Sequence, residues 1–402
     1  MPKHDPIKGQ YIYLDIEGVE YRVYYEEAGE GIPLLVGHTA GSDGRQYRHL
    51  LCDEDVTKDF RTIAFDLPFH GKSLPPYGKK WWTEEYNMTK SFMMNFPNTF
   101  AKELGLDKPV YMGQSMGGHL AIDLASNYPD TFYGKIAINS LGYNHKIKFN
   151  LPNISESFIS WLSSQKGGLR ALALLQVGEY WHADRELRKL YPITPKKFHL
   201  ELMSFSSKNG MPSIAYRLAD IQRVGTGVKW YGALYPDLIL KNENDIKDKA
   251  LVMSIIRQES RFDQRGKSPA RAQGLMQILP STAAFIMKNR DYRGKLRHDL
   301  LIPEKNIVIG EKYIQHLFKE PLIDNDIIKL LAAYNGGPGN LNKWINNVNF
   351  KKDPLLLIET LPSRETRNYI KEVLKNYYVY NNKFLFDEIK FEELASGNWI
   401  IE

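Results

Sequence analysis

The chain opens with two stretches in which apolar and polar positions alternate. Tyr11–Ile16 and Tyr21–Glu26 flank Glu17-Gly18-Val19, and a period of two on either side of a Gly-containing turn predicts a β-hairpin. Short, mostly apolar runs follow at Pro33–Val36, Arg61–Phe65, Pro109–Met112 and Lys135–Ile138, with helical stretches at Lys90–Leu104 and Met116–Asn127 between them. Strands that are apolar on both faces need cover on both faces, so residues 1–145 are expected to form a mostly parallel α/β sheet clothed by helices. After Lys135–Ile138 the alternation of strand and helix stops, which leaves that run as the last strand, with an open edge and uncovered apolar faces.

Residues 146–245 change period. Gly168–Gly178 and Glu179–Leu190 read as two helices broken at Gly178, and Lys196–Ser207 with Met211–Val224 as a second pair. Paired short helices suggest either a fragment of a helical superhelix or a helical linker. Residues 246–402 are again mostly helical, joined by loops rich in Gly, Pro and Asn. A multi-domain chain is expected, since 402 residues exceed one small core.

Composition narrows the class. With 43% hydrophobic and 25% charged residues the chain is globular, which excludes collagen-like and disordered polymers. A single cysteine, Cys52, excludes an intrachain disulfide. No run approaches the ~18–20 apolar residues of a membrane span, and the polar segment Met1–Gln10 lacks the apolar core of a secretory signal, so nothing in it directs export from the cytoplasm. The net charge of +6 falls wholly in residues 246–402, without a dense basic block, and nucleic acid is not expected as a partner. No Cys/His cluster has metal-ligand spacing and no glycine pattern forms a phosphate loop; neither metal nor cofactor is expected.

Two constellations carry chemistry. Val110-Tyr111-Met112-Gly113-Gln114-Ser115-Met116-Gly117-Gly118 reads as strand, Gly-x-Ser-x-Gly and helix, a turn so sharp that the residues two places either side of Ser115 must nearly vanish. The Met116 amide, at the start of the next helix, would stabilise an oxyanion, and amides near Thr39 and Ala40 in Gly37-His38-Thr39-Ala40-Gly41 would supply a second donor. With Asp66-Leu67-Pro68-Phe69-His70-Gly71-Lys72-Ser73, these motifs resemble the α/β-hydrolase family over residues 11–145. The resemblance implies a Ser115 nucleophile followed in chain order by an acid and a histidine. Here the order breaks: Leu141–Gln165 holds only Glu156 and His145, reversed, while His119, His182 and His199 fall on helical stretches. A truncated hydrolase half without triad partners is therefore expected.

In the second constellation, Leu251, Val252, Ile255, Ile256 and Glu259 recur at three- and four-residue spacing, so Glu259 ends an apolar helical stripe. A carboxyl on such a face is desolvated and its pKa rises, which is what a general acid for glycosidic cleavage needs. Three further blocks follow in order: Ser268–Ala283, Ala332–Asn340 and Ile358–Ile370. Together the four look like the catalytic domain of soluble lytic transglycosylases, a lysozyme-like fold, over about 246–385, and Gly168–Tyr235 is similar to the superhelix that precedes it.

That resemblance implies Glu259 as sole acid/base; Ser268, Gln277, Tyr334 and Asn335 lining the cleft; and Glu359 hydrogen-bonding substrate. It further implies peptidoglycan glycan strands as partner and the cell envelope or periplasm as location. The reaction implied is cleavage of the N-acetylmuramic acid–N-acetylglucosamine bond with formation of a 1,6-anhydro end. The alternatives are a serine esterase of the hydrolase type, or a non-catalytic cell-wall-binding protein.

Overall fold

The computed structural model describes residues 6–83, 85, 88–128, 130–141, 147–240, 246–350 and 353–384. They fall into two compact units, Met1–Leu141 and Gly142–Glu402.

The first unit is a mixed five-stranded sheet in the order β1-β2-β4-β3-β5. The predicted hairpin is β1 (Lys8–Ile16) with β2 (Val19–Ala28), antiparallel and in register from Lys8↔Glu27 to Ile16↔Val19. Then β3 (Ile32–Gly37), β4 (Phe60–Phe65) and β5 (Val110–Gly113) run parallel, while β4 meets β2 antiparallel. Side chains alternate as a pleat requires. Leu35, Ile63 and Phe65 point to one face, where α3 (Lys90–Glu103) packs Phe92, Phe96 and Phe100 against them. Leu34, Val36 and Ala64 point to the other, under Tyr47 and Leu51 of the segment holding the short helices α1 (Arg48–Leu51) and α2 (Glu54–Thr57). Two helices follow β5, α4 (Met116–Ser126) and α5 (Phe132–Ser140).

The expected strand Lys135–Ile138 is not a strand. It lies inside α5, with Phe132, Ile136 and Ala137 buried, and among the described residues β5 pairs with β3 alone. A four-residue apolar run carries no period of its own, so it satisfies a buried helix as well as a strand, and here helical spacing wins.

The second unit is helical among its described residues. α6 (Glu156–Ser164), α7 (Lys166–Gln176), α8 (Tyr180–Leu190), α9 (His199–Lys208), α10 (Pro212–Thr226) and the short α11 (Tyr231–Leu234) come first. The break between α7 and α8 falls at Gly178, whose φ of 77° suits a residue without Cβ. There follow α12 (Lys249–Glu259), α13 (Pro280–Ile286), α14 (Pro303–Phe318), α15 (Ile327–Gly336), α16 (Pro338–Asn347), α17 (Pro354–Thr360) and the long α18 (Arg364–Phe384). No described helix is long and apolar enough to cross a membrane.

Candidate active site

α12 is held at both ends. Its first turn is capped by Asp248, which accepts from the Leu251 amide at 2.8 Å and from the Tyr377 hydroxyl of α18 at 2.6 Å. Near its other end Arg257 donates to Asn376 Oδ1 at 2.6 Å and to the Leu234 carbonyl at 2.9 Å. The same guanidinium lies 4.2 Å from the Tyr235 ring centre. Leu251, Val252, Ile255 and Ile256 are buried, so the stripe read from the spacing is the packed face.

Glu259 is the last residue of that helix. Burial pushes its carboxyl up to about 7, the charge of Glu365 adds to the rise, and the Tyr369 hydroxyl facing it pulls the other way. That contact falls short of full hydrogen-bond geometry. Burial and the adjacent carboxyl drive Tyr369 and Tyr334 well above the usual phenol range, so both stay neutral donors. Tyr334 donates to the Met276 carbonyl at 2.8 Å, and its ring packs 5.3 Å from that of Tyr313.

The segment 266–278 is a loop closed by its own side chains. Ser268 Oγ accepts from the Ala272 amide at 3.0 Å, and Gln277 Nε2 donates to the carbonyls of Gly274 (2.8 Å) and Gly266 (3.2 Å). Beneath it Asn306, wholly buried, accepts from the Met276 amide at 2.8 Å and donates to the carbonyls of Gln273 (2.9 Å) and Leu300 (2.8 Å). Asn335 Oδ1 accepts from the Thr366 hydroxyl at 2.7 Å, which ties α15 to α18. Glu359 is exposed at the end of α17, 3.0 Å from the Lys371 ammonium. Asp263 accepts from the Trp181 indole at 3.3 Å and the Arg265 amide at 3.1 Å.

Of the residues named from the sequence, Tyr334 is brought beside Glu259. Ser268, Gln277 and Asn335 hold the surrounding loop and helices, and the carboxylate felt by Glu259 is Glu365 rather than Glu359. Sequence reasoning missed Tyr369, Glu365, Tyr313 and Asn306. The first two lie in the quoted block Ile358–Ile370, at i and i+4 on α18, and that spacing was the available signal. Tyr313 and Asn306 sit in α14, outside every motif.

In the first unit Ser115 stands on the expected turn, with φ 53° and ψ −116°. A Cβ on Gly113 would lie 2.3 Å from the Gly117 carbonyl carbon, and one on Gly117 2.1 Å from the Gly37 carbonyl oxygen, so both glycines are dictated by contact. The Met116 amide opens α4, where the helix ladder does not use it. The Thr39 amide is differently placed from the expectation: it already donates to Gln46 Oε1 at 3.0 Å, and Gln46 in turn donates to Gln114. The neighbouring Ala40 carbonyl faces His70 Nε2 at 3.1 Å.

No histidine among the described residues is hydrogen-bonded to the Ser115 hydroxyl. His38 is buried between the Thr39 carbonyl and the Leu67 amide, and His119 lies 3.6 Å from Asp123. His145 lies outside the described residues. Ser115→Ala is accordingly expected to leave p-nitrophenyl ester turnover unchanged from the parent's background. Serine-dependent turnover would show that a base reaches it. No described cluster of three or more His, Cys, Asp or Glu side chains could hold a metal ion.

Comparison with known proteins finds two family models along the chain. Residues 239–356 match the family model described as transglycosylase SLT domain. Residues 32–175 match the model described as alpha/beta hydrolase fold. The soluble lytic murein transglycosylase of Salmonella typhimurium is 30% identical over 273 residues, covering 63% of this chain and 39% of that protein. The protein of the same name from Escherichia coli K12 is 29% identical over 269 residues, covering 64% and 40%. The chain thus spans about two fifths of these relatives' length. In fold, it is similar to the crystal structure of the 70 kDa soluble lytic transglycosylase from Escherichia coli, with a TM-score of 0.55 at 23% identity over 75% of this chain and 47% of that one.

Proposed function

We propose that the SLT domain cleaves peptidoglycan as a lytic transglycosylase, with Glu259 as its only acid/base. The observation that carries this reading is the Glu259 carboxyl itself, at the end of an apolar helix and raised to about 7, flanked by neutral tyrosines. Glycosidases that use two carboxylates need the second to attack or to activate water. Asp263 is turned to Trp181 and Arg265, and Glu365 is exposed and acts on Glu259 through its charge.

With one acid the route is intramolecular. Glu259 protonates the glycosidic oxygen between N-acetylmuramic acid and N-acetylglucosamine, and the C1–O bond breaks as the muramic N-acetyl group stabilises the developing cation. The C6 hydroxyl of the same sugar then attacks C1, and Glu259 takes back its proton. The tethered hydroxyl has the advantage of effective concentration over bulk water. Tyr334, Ser268, Gln277 and Asn335 would line the cleft and Glu359 would meet substrate farther along. The names of the relatives support murein as substrate, and a murein substrate would put the place of action in the cell envelope.

Mass spectrometry of fragments from purified peptidoglycan tests the reading. A 1,6-anhydro end is one water lighter than a hydrolysed end, and reducing ends alone would overturn the intramolecular route. The acid must begin protonated. Since its pKa is about 7, kcat/KM is expected to be level below that pH and to fall toward tenfold per unit above it, read from a pH–rate profile.

A further inference from the structure

We propose that Tyr313 is a substrate-contacting residue of the Glu259 site, its hydroxyl donating a hydrogen bond to an acetamido carbonyl of the glycan. The inference rests on the transglycosylase reading and adds to it a residue that lies outside every motif of the sequence.

The placement of Tyr313 begins with helix spacing. Asn306, Gly310 and Tyr313 recur at four and three residues along α14, so all three lie on one face. Asn306 accepts from the Met276 amide, and Gly310 leaves room for the Met276 side chain: a Cβ there would lie 2.2 Å from the sulfur. This face is thus seated under the loop whose Met276 carbonyl holds Tyr334. Tyr313 continues it, and its ring packs on that of Tyr334 with 5.3 Å between centres and 42° between planes.

Three phenols therefore gather near one carboxyl, and their hydroxyls differ. Tyr334 donates to the Met276 carbonyl. The Tyr369 hydroxyl is sealed from water and faces Glu259. The Tyr313 hydroxyl makes no hydrogen bond among the described residues, and it is not sealed: the side chain is half-buried and water reaches the oxygen. It is close enough for its charge to act on both Tyr334 and Tyr369, so it opens toward Glu259 and not to the far side of α14.

Chemistry selects the partner. Partial burial pushes the Tyr313 phenol above its ordinary value, so it stays a neutral O–H donor. A neutral donor in a partly dry cleft pairs best with the strongest neutral acceptor in reach. On an amino-sugar polymer that is the amide oxygen of an N-acetyl group, a better acceptor than a hydroxyl or a ring oxygen. A sugar that closes the cleft without such an acceptor would strand the hydroxyl, which costs binding.

Tyr313→Phe is the test, because it keeps the ring against Tyr334 and removes an oxygen that no described protein group uses. The melting temperature is expected to stay within about 2 °C of the parent's. Over purified peptidoglycan kcat/KM is expected to fall about tenfold, the effect of one neutral hydrogen bond. Calorimetric titration of the Glu259→Gln protein, which binds without turnover, identifies the acceptor. Chitotetraose and cellotetraose share a neutral β-1,4 backbone and differ in the acetamido group. Chitotetraose is expected to bind at least about tenfold more tightly, and adding Tyr313→Phe is expected to shrink that difference about tenfold while cellotetraose affinity stays the same.

Equal kcat/KM in the parent and Tyr313→Phe, or a chitotetraose preference that survives the substitution, overturns the contact. A melting temperature lowered by more than about 5 °C would show that the hydroxyl serves the fold and overturns it as well. A parent protein that releases no fragment from peptidoglycan overturns the transglycosylase reading, and titration with the two tetrasaccharides then still decides the contact. Failure to bind either tetrasaccharide overturns both.

Discussion

Glu259→Gln is expected to lower peptidoglycan cleavage by about 10³-fold and, at pH 8, to raise the melting temperature. The first effect follows, on the proposed mechanism, from removing the group that gives and retakes the proton, since positioned acid–base catalysis is worth ~10²–10⁴-fold. The second follows from linkage. The Glu259 carboxyl titrates near 7 in the folded protein against an ordinary value of 4.5. The native state therefore holds a proton that the unfolded chain has released, and stability falls as pH rises from about 4.5 to about 7. Above that window the native protein carries a desolvated charge that glutamine, nearly the same in shape, does not. The variant should melt higher at pH 8, and the gain should vanish below pH 4.5, where both proteins are neutral at this position. Thermal melts at the two pH values, beside release of soluble fragments from purified peptidoglycan, read both effects. Equal melting at pH 8 would show the carboxyl to be well solvated; undiminished release would show that another group is the acid. Loss of activity joined to a gain in stability is the signature of a residue kept for chemistry at a folding cost.

Asn306→Ala should be the most damaging single change remote from the reacting atoms. Its side chain satisfies the Met276 amide and the carbonyls of Gln273 and Leu300, all in a wholly buried setting. Alanine strands three backbone groups, at ~1–3 kcal/mol each, and a total of about 3–5 kcal/mol is expected after partial relaxation. In a unit of this size that lowers the melting temperature by roughly 10 °C. Water cannot simply replace the amide, because the space is tight: a Cβ on Gly274 would lie 2.3 Å from Asn306 Nδ2. The change should also reach the active site, since the Met276 carbonyl holds the Tyr334 hydroxyl beside Glu259. Turnover is expected to fall even at temperatures where the variant is folded. A melting temperature within two degrees of the parent's would show that the loop 266–278 stands without this support.

Much of this was legible beforehand because it is local. Alternation flanking Gly18 marked the hairpin, and the apolar runs marked β3, β4 and β5. Gly113 and Gly117 announced a turn whose contacts admit no Cβ. The Leu251–Glu259 spacing placed the acid on the buried side of its helix. What failed had no local signal. Lys135–Ile138 is too short to show a period, and its neighbours made it helix α5. The Thr39 amide looked free as an oxyanion donor, but Gln46, seven residues on, folds back to occupy it. That Glu365 is the carboxylate whose charge reaches Glu259 is likewise set by packing.

The order of residues alone determined which side chain could act as a proton donor, because a carboxyl at the end of an apolar stripe must leave water when that stripe packs. It determined equally that the serine turn would form, since only glycines tolerate its contacts. Tertiary structure decided the rest: how far the carboxyl's affinity for its proton rises, which tyrosines and which second carboxylate surround it, and that Asn306 supports the loop beneath. Those quantities depend on desolvation and on distances between groups as far apart along the chain as Glu259 and Tyr369, and only packing sets such distances.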